Sequence, residues 1–146
     1  MAVVVQSYSG TSTSTGTVTV TAPIGVVNND FLVFVASTDW ADGGTVAYTP
    51  PTGLTALFPY TRANPGAAGN SFQAWYRVAS GEPGSYILTL GSARLTGFSV
   101  SRIDGQHTST PVDGTIGTAV NSGQPITPGY TTTVDNCLVY RPVTWD

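Results

Sequence analysis

The chain has 146 residues, enough for one domain over residues 1–146, and only 9% of them are charged, against about 25% in ordinary soluble domains. Its basic residues are five scattered arginines and its net charge is −3. These features argue against the basic stripe of a nucleic-acid-binding protein and the polybasic patch of a membrane-binding one. The abundance of Thr, Val and Tyr, with few Lys, Glu or Gln, favours an all-β fold.

Strand-like segments recur between clusters of Gly, Pro and Asn, as in β-sandwiches and barrels. Residues 3–6 form an apolar strand, and 17–21 alternates strictly between apolar and polar residues. Residues 30–38 are a continuous apolar run, typical of a strand buried on both sides. Further strands are predicted at 45–49, 54–58, 71–79, 85–90, 96–103 and 136–144.

The connections complete this prediction. Gly-Glu-Pro-Gly at 81–84 is predicted as the turn of a hairpin, and the Gly-rich stretches 39–44 and 62–70 as loops at the ends of a sandwich. Residues 104–129 lack a period and are predicted to cross over a sheet. No segment combines a 3.6-residue period with helix caps. We therefore predict an antiparallel β-sandwich, jelly-roll or immunoglobulin-like, with little or no helix.

The two chain ends are candidates for contacts with other subunits. Residues 1–16 are interpreted as an N-terminal arm and 138–146 as a strand that contacts another subunit, because Pro142 cannot donate to a β-ladder. The candidate subunit contacts are the large apolar residues of these ends: Val3, Val4, Val5, Tyr140 and Trp145.

Residues with catalytic or metal-binding chemistry are few. His107 is the single histidine, in a polar loop without a nucleophile-elbow pattern. Glu82 is the single glutamate and is interpreted as a solvated turn residue, while Cys137 is interpreted as a small buried hydrophobic residue. Asp39 and Asp42 could form a carboxylate pair or a calcium loop, but Asp-Gly is ordinary turn chemistry. The sequence therefore favours a protein without enzymatic activity, cofactor or bound metal.

Aromatic residues could serve a binding function, because sugar rings stack on exposed Trp and Tyr side chains. Trp40 lies in the Gly-rich loop between Asp39 and Asp42, and Tyr60 is a further aromatic candidate. These four residues are the candidate contacts for a partner or a glycan.

Trp75 has a different interpretation. Strand alternation places it on a mixed face with Arg77, whose guanidinium can cover the indole, so we predict a covered, structural tryptophan. The opposite face of this strand is predicted to be the core face: Phe72, Ala74, Tyr76 and Val78.

The segment "AWYRVASGEPGSYILTL" (74–90) resembles one that recurs in β-sandwich domains of bacteriophage virion proteins and of large bacterial surface proteins. Other parts of that pattern surround it in order: "NNDFLVFVA", "PPTGLTAL", "FSVSRIDGQHTSTPVDG" and "TTTVDNCLV". The chain departs from the pattern at Leu54, where the family commonly has Trp. It also departs after "CLVYRPVTW", where such domains often continue into a further hairpin, which favours completion by a neighbouring subunit.

The resemblance implies a structural role in the virion, on the capsid surface, for a protein made in the host cytoplasm. A small chain of this type is similar to capsid decoration (cement) proteins, which bind and stabilise the lattice of the major capsid protein. Its expected partners are the major capsid protein and copies of itself, for instance in a trimer. The alternative is a receptor- or glycan-binding module of a tail fibre or adhesin.

Overall fold

The computed structural model describes residues 3–40, 46–58, 61–62, 69–107, 109–113 and 137–139. Within these ranges every regular element is a β-strand, and the strands form two antiparallel sheets that pack together. The predicted all-β sandwich is confirmed. The strands are β1 (Val4–Thr13), β2 (Thr17–Thr21), β3 (Phe31–Trp40), β4 (Tyr48–Thr49), β5 (Thr55–Ala56), β6 (Thr61–Arg62), β7 (Gly69–Val78), β8 (Ser85–Leu90) and β9 (Thr96–Asp104).

The larger sheet has the order β1-β9-β3-β7-β5 in the described part of the chain, and β6 also pairs with β7. The smaller sheet has the order β2-β8-β4. No described element is a helix, so the described part of the chain contains no helix that could cross a membrane.

The inner face of the larger sheet packs on the smaller sheet and forms the main core. Phe34, on the central strand β3, is fully buried and meets Tyr86 of β8 edge-on at 4.8 Å between ring centroids. The inner side chains of β9, β3 and β7 lie in successive rows: Arg102–Leu32–Arg77, Val100–Phe34–Trp75, Phe98–Ala36–Gln73 and Thr96–Thr38–Ser71. Apolar rows therefore occupy the middle of the sandwich, and polar side chains reach its two ends.

The outer face of the larger sheet has a second apolar cluster. Phe31, Val33 and Ile103 are buried there. Val112 packs on this cluster from the segment that follows β9. Because β3 has apolar contacts on both faces, the prediction for residues 30–38 is confirmed.

The prediction for the two faces of β7 was wrong. Trp75 faces the main core, whereas the face predicted as core, with Tyr76 and Val78, packs on the outer cluster. Alternation separated the faces correctly, but both faces are covered, and the pattern did not indicate which one meets the smaller sheet. Trp75 is buried as predicted, with 3% of its surface exposed, and its ring partner is Tyr48, edge-on at 5.9 Å.

The prediction of a hairpin at residues 81–84 was also wrong. β7 pairs with β3, β5 and β6, whereas β8 pairs with β2 and β4. The turn is therefore a corner that carries the chain from one sheet to the other. The predicted turn chemistry is present, because Gly81 has φ of +64°.

The N-terminal segment is part of the larger sheet from Val4 to Thr13. β1 pairs with β9 along this length, with one irregularity in register between Val5 and Ser7. This differs from the expected arm over residues 1–16, because pairing with β9 satisfies one edge of the strand.

Candidate functional site

One end of the sandwich, formed by residues 22–30 and 79–84, contains two arginine–carboxylate pairs and is called the ion-pair end below. Arg102 and Arg77 lie on either side of Leu32 in the same row of the inner face. Arg102 donates from Nε to Asp30 Oδ2 at 2.7 Å, and the same oxygen accepts the Val27 N–H at 2.7 Å. Asp30 thereby attaches the loop before β3 to β9.

Glu82 forms the second pair and joins both sheets. Its Oε1 lies 3.1 Å from Arg77 Nε, at the distance of an ion pair but without the alignment of a hydrogen bond. Oε1 also accepts the Ser80 N–H at 2.8 Å, and Oε2 accepts the Tyr86 hydroxyl at 2.9 Å. Only 6% of the Glu82 side chain is exposed, so its interpretation as a solvated turn residue was wrong. Burial, together with the hydrogen bond to Glu82, raises the pKa of Tyr86 above its ordinary value.

Aliphatic side chains are exposed at this same end. Ile24 is 88% exposed and Val27 is 59% exposed. Their loop is held in place at its backbone, since Ser7 Oγ donates to the Ile24 carbonyl at 3.0 Å. Gly25 has φ of +78° and lies so close to Arg102 that a Cβ there would be 3.1 Å from a guanidinium nitrogen. The exposure of Ile24 therefore belongs to a loop with a defined conformation.

A shallow pocket of about 250 Å³ lies beside these side chains, between residues 22–28 and 82–84. Its lining includes Pro23, Val26 and Pro83, together with Glu82. The lining combines polar and apolar groups, and both Glu82 oxygens already accept hydrogen bonds, so the pocket offers no unpaired carboxylate.

The opposite end of the sandwich is closed by buried hydroxyl groups and is called the hydroxyl end below. Thr38 Oγ1 lies 2.9 Å from Thr96 Oγ1, and Tyr48 donates its hydroxyl to Thr38 Oγ1 at 2.7 Å. The Tyr48 hydroxyl also lies 3.2 Å from the Ser71 carbonyl oxygen. Thr38, Thr96 and Ser71 are fully buried. The sequence analysis missed this network, because its partners come from four strands.

The predicted contact loop begins at the hydroxyl end. Asp39 is exposed, its N–H donates to the Leu95 carbonyl at 2.8 Å, and in register it lies opposite Asn70. Trp40 is the last residue of β3, opposite Gly69. Asp42 and Tyr60 lie outside the described residues, so the structure places two of the four predicted contacts next to each other in β3.

The predicted subunit contacts differ in how exposed they are. Val3 is half-buried and packs on the outer cluster, whereas Val4 and Val5 are exposed on β1. Tyr140 and Trp145 lie outside the described residues.

Ile24 and Tyr8 are the most exposed of the large apolar residues that the sequence analysis missed. Tyr8 is 64% exposed on β1. A signal existed for Ile24, because an isolated large aliphatic residue between Pro23 and Gly25 has no place in a core-facing pattern. Tyr8 had a similar signal as the single aromatic residue within a Ser-, Gly- and Thr-rich strand.

His107 and Cys137, the residues with reactive side chains, both have polar neighbours. His107 is exposed, and its Nδ1 accepts the N–H of Thr110 at 3.2 Å. Cys137 is half-buried rather than fully buried, with Sγ 3.9 Å from Asp113 Oδ2. Among the residues that the structure describes, no group of three or more His, Cys, Asp or Glu could hold a metal ion.

Comparison of the chain with protein-family models, with curated proteins and with solved structures finds no match.

Proposed function

We propose that this chain is a structural, non-enzymatic protein of a bacteriophage particle, a capsid decoration protein that binds and stabilises the lattice of the major capsid protein. The observation that carries the proposal is the ion-pair end. Exposed aliphatic residues, Ile24 and Val27, adjoin a pocket in a surface whose charged groups are already paired.

Pairing of the charges favours protein binding at this end. A partner that covers the surface would not have to strip water from an isolated carboxylate or guanidinium, which is the costly part of burying charge. The cores of protein interfaces are correspondingly depleted of charged residues. Ile24 is the natural anchor, because a side chain that is 88% exposed gains most from burial in a partner.

The sandwich supports the same role. The central strand β3 is packed on both faces. Polar contacts close both ends, from loop residues to strands at the ion-pair end and between strands at the hydroxyl end. Such a scaffold holds a contact loop rigidly, which lowers the entropy cost of binding. The resemblance of residues 74–90 to virion β-sandwich domains points to the particle as the place where this contact is made.

The test is co-sedimentation of the purified chain with capsid shells that lack their decoration protein. We expect the wild-type chain to bind, and Ile24→Asp to weaken binding by about tenfold or more, because a carboxylate would be buried without a partner. Leu95→Asp is the matched control: Leu95 is 52% exposed but lies at the hydroxyl end, so this variant should bind like wild type. Failure of the wild-type chain to bind would refute the function. Equal binding by both variants would refute the assigned surface.

The alternative function, a glycan-binding module, now depends on Trp40. Burial of Trp75 removes that residue as a sugar platform, whereas Asp39 is exposed directly before Trp40. A glycan-array signal that disappears in Trp40→Ala would favour this alternative over the capsid.

A further inference from the structure

We propose that β1 is a self-association edge, along which a second copy of the chain pairs its own β1 in antiparallel orientation across a twofold axis at Ser9. The pairing concerns copies of this chain alone. It therefore stands or falls independently of binding to a capsid.

β1 is a long edge strand. It runs for ten residues, from Val4 to Thr13, and pairs with β9 on one side. Within the described ranges no strand lies on its other side. At the opposite margin of the same sheet, β5 has only two residues, Thr55–Ala56. Short edges offer little for another strand to pair with, whereas a ten-residue edge offers a full ladder.

The composition of β1 leaves this edge unprotected. Proteins commonly block edge strands with charged side chains or proline, and "VVQSYSGTST" contains neither. Its one irregularity, between Val5 and Ser7, lies near the start and leaves residues 7–13 in regular register. This regular part can form a ladder with another strand.

A second copy fits this edge better than an unrelated strand. In antiparallel self-pairing every residue meets a residue of the same strand, so any charge would face a like charge. β1 carries no charge and escapes that penalty. An axis at Ser9 places Tyr8 opposite Gly10 of the second copy and Ser7 opposite Thr11 of the second copy.

The inner and outer faces of β1 are compatible with this register. Pairing with β9 places Tyr8 and Gly10 on the outer face, opposite Ser101 and Ser99. It places Ser9 on the inner face, opposite Val100. An axis at Ser9 therefore joins outer face to outer face and inner face to inner face, which continues the larger sheet from one copy into the next.

Tyr8 and Gly10 favour the same axis. Within one copy the Tyr8 ring lies directly against Gly10, where a Cβ would collide with the tyrosine hydroxyl. Packing of an aromatic ring over a strand glycine stabilises β-sheets. In the proposed pair, two glycines and two tyrosines meet around the axis, and the missing glycine side chains leave room for both exposed rings.

The twofold pairing predicts a dimer, whereas the sequence analysis gave a trimer as one possible oligomer. Antiparallel pairing of one strand with itself uses the same edge of both copies and closes after two. Multi-angle light scattering of the purified full chain measures the state directly. A wild-type chain that is monomeric or trimeric at all concentrations would overturn the proposal.

The axis is tested by charges at Ser9, which would face each other only in this register. We expect Ser9→Lys alone and Ser9→Asp alone each to raise the dimer Kd by about tenfold or more, because like charges oppose each other. An equal mixture of the two variants should regain dimers, because opposite charges then meet. Single variants that dimerise like wild type, or a mixture that stays monomeric, would refute the axis.

Two further variants separate pairing from folding. Ile87→Lys is the control, because Ile87 is 53% exposed on β8, a strand paired on both sides; it should stay dimeric. If a charge at the half-buried Ser9 prevents folding, Tyr8→Lys tests the same edge at an exposed position. We expect Tyr8→Lys to raise the dimer Kd, and an unchanged Kd in this variant would contradict the proposal.

Discussion

Glu82 holds the corner between the two sheets through both oxygens of its carboxylate. Oε1 contacts Arg77 and Ser80, while Oε2 accepts the Tyr86 hydroxyl. Without this carboxylate, a guanidinium that is 24% exposed would lose its counter-charge, and a buried phenol would lose its acceptor. Glu82 therefore adds side-chain contacts to a corner that backbone hydrogen bonds, such as Ala22 N–H to the Gly84 carbonyl, also hold.

We expect Glu82→Ala to lower the free energy of unfolding by about 2–3 kcal/mol, because it leaves several partly buried polar groups unpaired. Gly84→Ala is the control in the same turn, since a Cβ at Gly84 would meet nothing within 4 Å. It should change stability by less than about 0.5 kcal/mol. Urea denaturation of both variants measures the difference, and equal stabilities would show that the carboxylate does not hold the corner.

The sequence predicted the turn at Glu82 but not the environment of its side chain. Gly and Pro indicate a turn through local backbone preferences, and Gly81 has the expected positive φ. The partners of Glu82 depend on which sheet the chain joins next. That choice is decided by packing of distant strands, which local preferences do not contain.

At the scale of the elements, β3 was predictable and the short strands were not. Residues 30–38 are apolar on both faces, so their pattern has a single interpretation. The segments 45–49 and 54–58 shrink to two-residue strands at β4 and β5. The length over which a strand pairs depends on its partner strand, and a propensity for β-structure does not determine that length.

The row of hydroxyls across β9, β3 and β7 gives a prediction at this scale. We expect Thr38→Val to destabilise the protein by about 1–2 kcal/mol, because Tyr48 and Thr96 lose a buried hydrogen-bond partner. The loss is moderated because Tyr48 also lies near the Ser71 carbonyl, and Thr96 bonds the Arg94 carbonyl.

Thr19→Val is the matched control for this row, because Thr19 is exposed on β2. The same chemical change there should leave the thermal unfolding midpoint nearly unchanged. A Thr38→Val midpoint equal to that of the control would mean that the hydroxyl network adds no stability.

At the scale of the whole molecule, the sandwich has two differently closed ends. Carboxylates and guanidinium groups close one end, and neutral hydroxyls close the other. At the ion-pair end, burial and the hydrogen bond to Glu82 raise the pKa of Tyr86. The stability of the protein should therefore depend on pH through this end.

The direction in which stability changes with pH follows from proton binding to Tyr86. The unfolded chain loses the Tyr86 proton near pH 10, whereas the folded chain keeps it to higher pH. The stabilisation is therefore fully present below about pH 10 and is lost as pH rises above it. Tyr86→Phe should be less stable than wild type at neutral pH, but should lose less stability between about pH 8 and about pH 11.

Urea titrations at the two pH values measure this difference. Gly84→Ala, at the same corner, should follow the wild-type pH dependence. An identical pH dependence in Tyr86→Phe and wild type would show that Tyr86 does not cause the loss.

The overall fold class followed from composition, because few charges and many Thr, Val and Tyr residues suit two packed sheets. The composition did not indicate which residues are exposed on the surface. Exposed Ile24 and Tyr8 depend on where loops and edges lie after folding, and Trp75 is buried although aromatic residues of its kind also bind sugars. The capsid function stays a prediction, as does the role of Trp40.

The pairing of β1 with β9 has a consequence for synthesis of the chain on the ribosome. Among the strands that the structure describes, β1 is made before the others, and its partner strand, Thr96–Asp104, emerges after them. Strands that are distant in sequence pair late, because the entropy cost of closing a long loop must be met before the stabilising contacts form. Until then both edges of β1 are open. A nascent chain next to another on the same messenger could therefore meet its second copy before its own fold is complete.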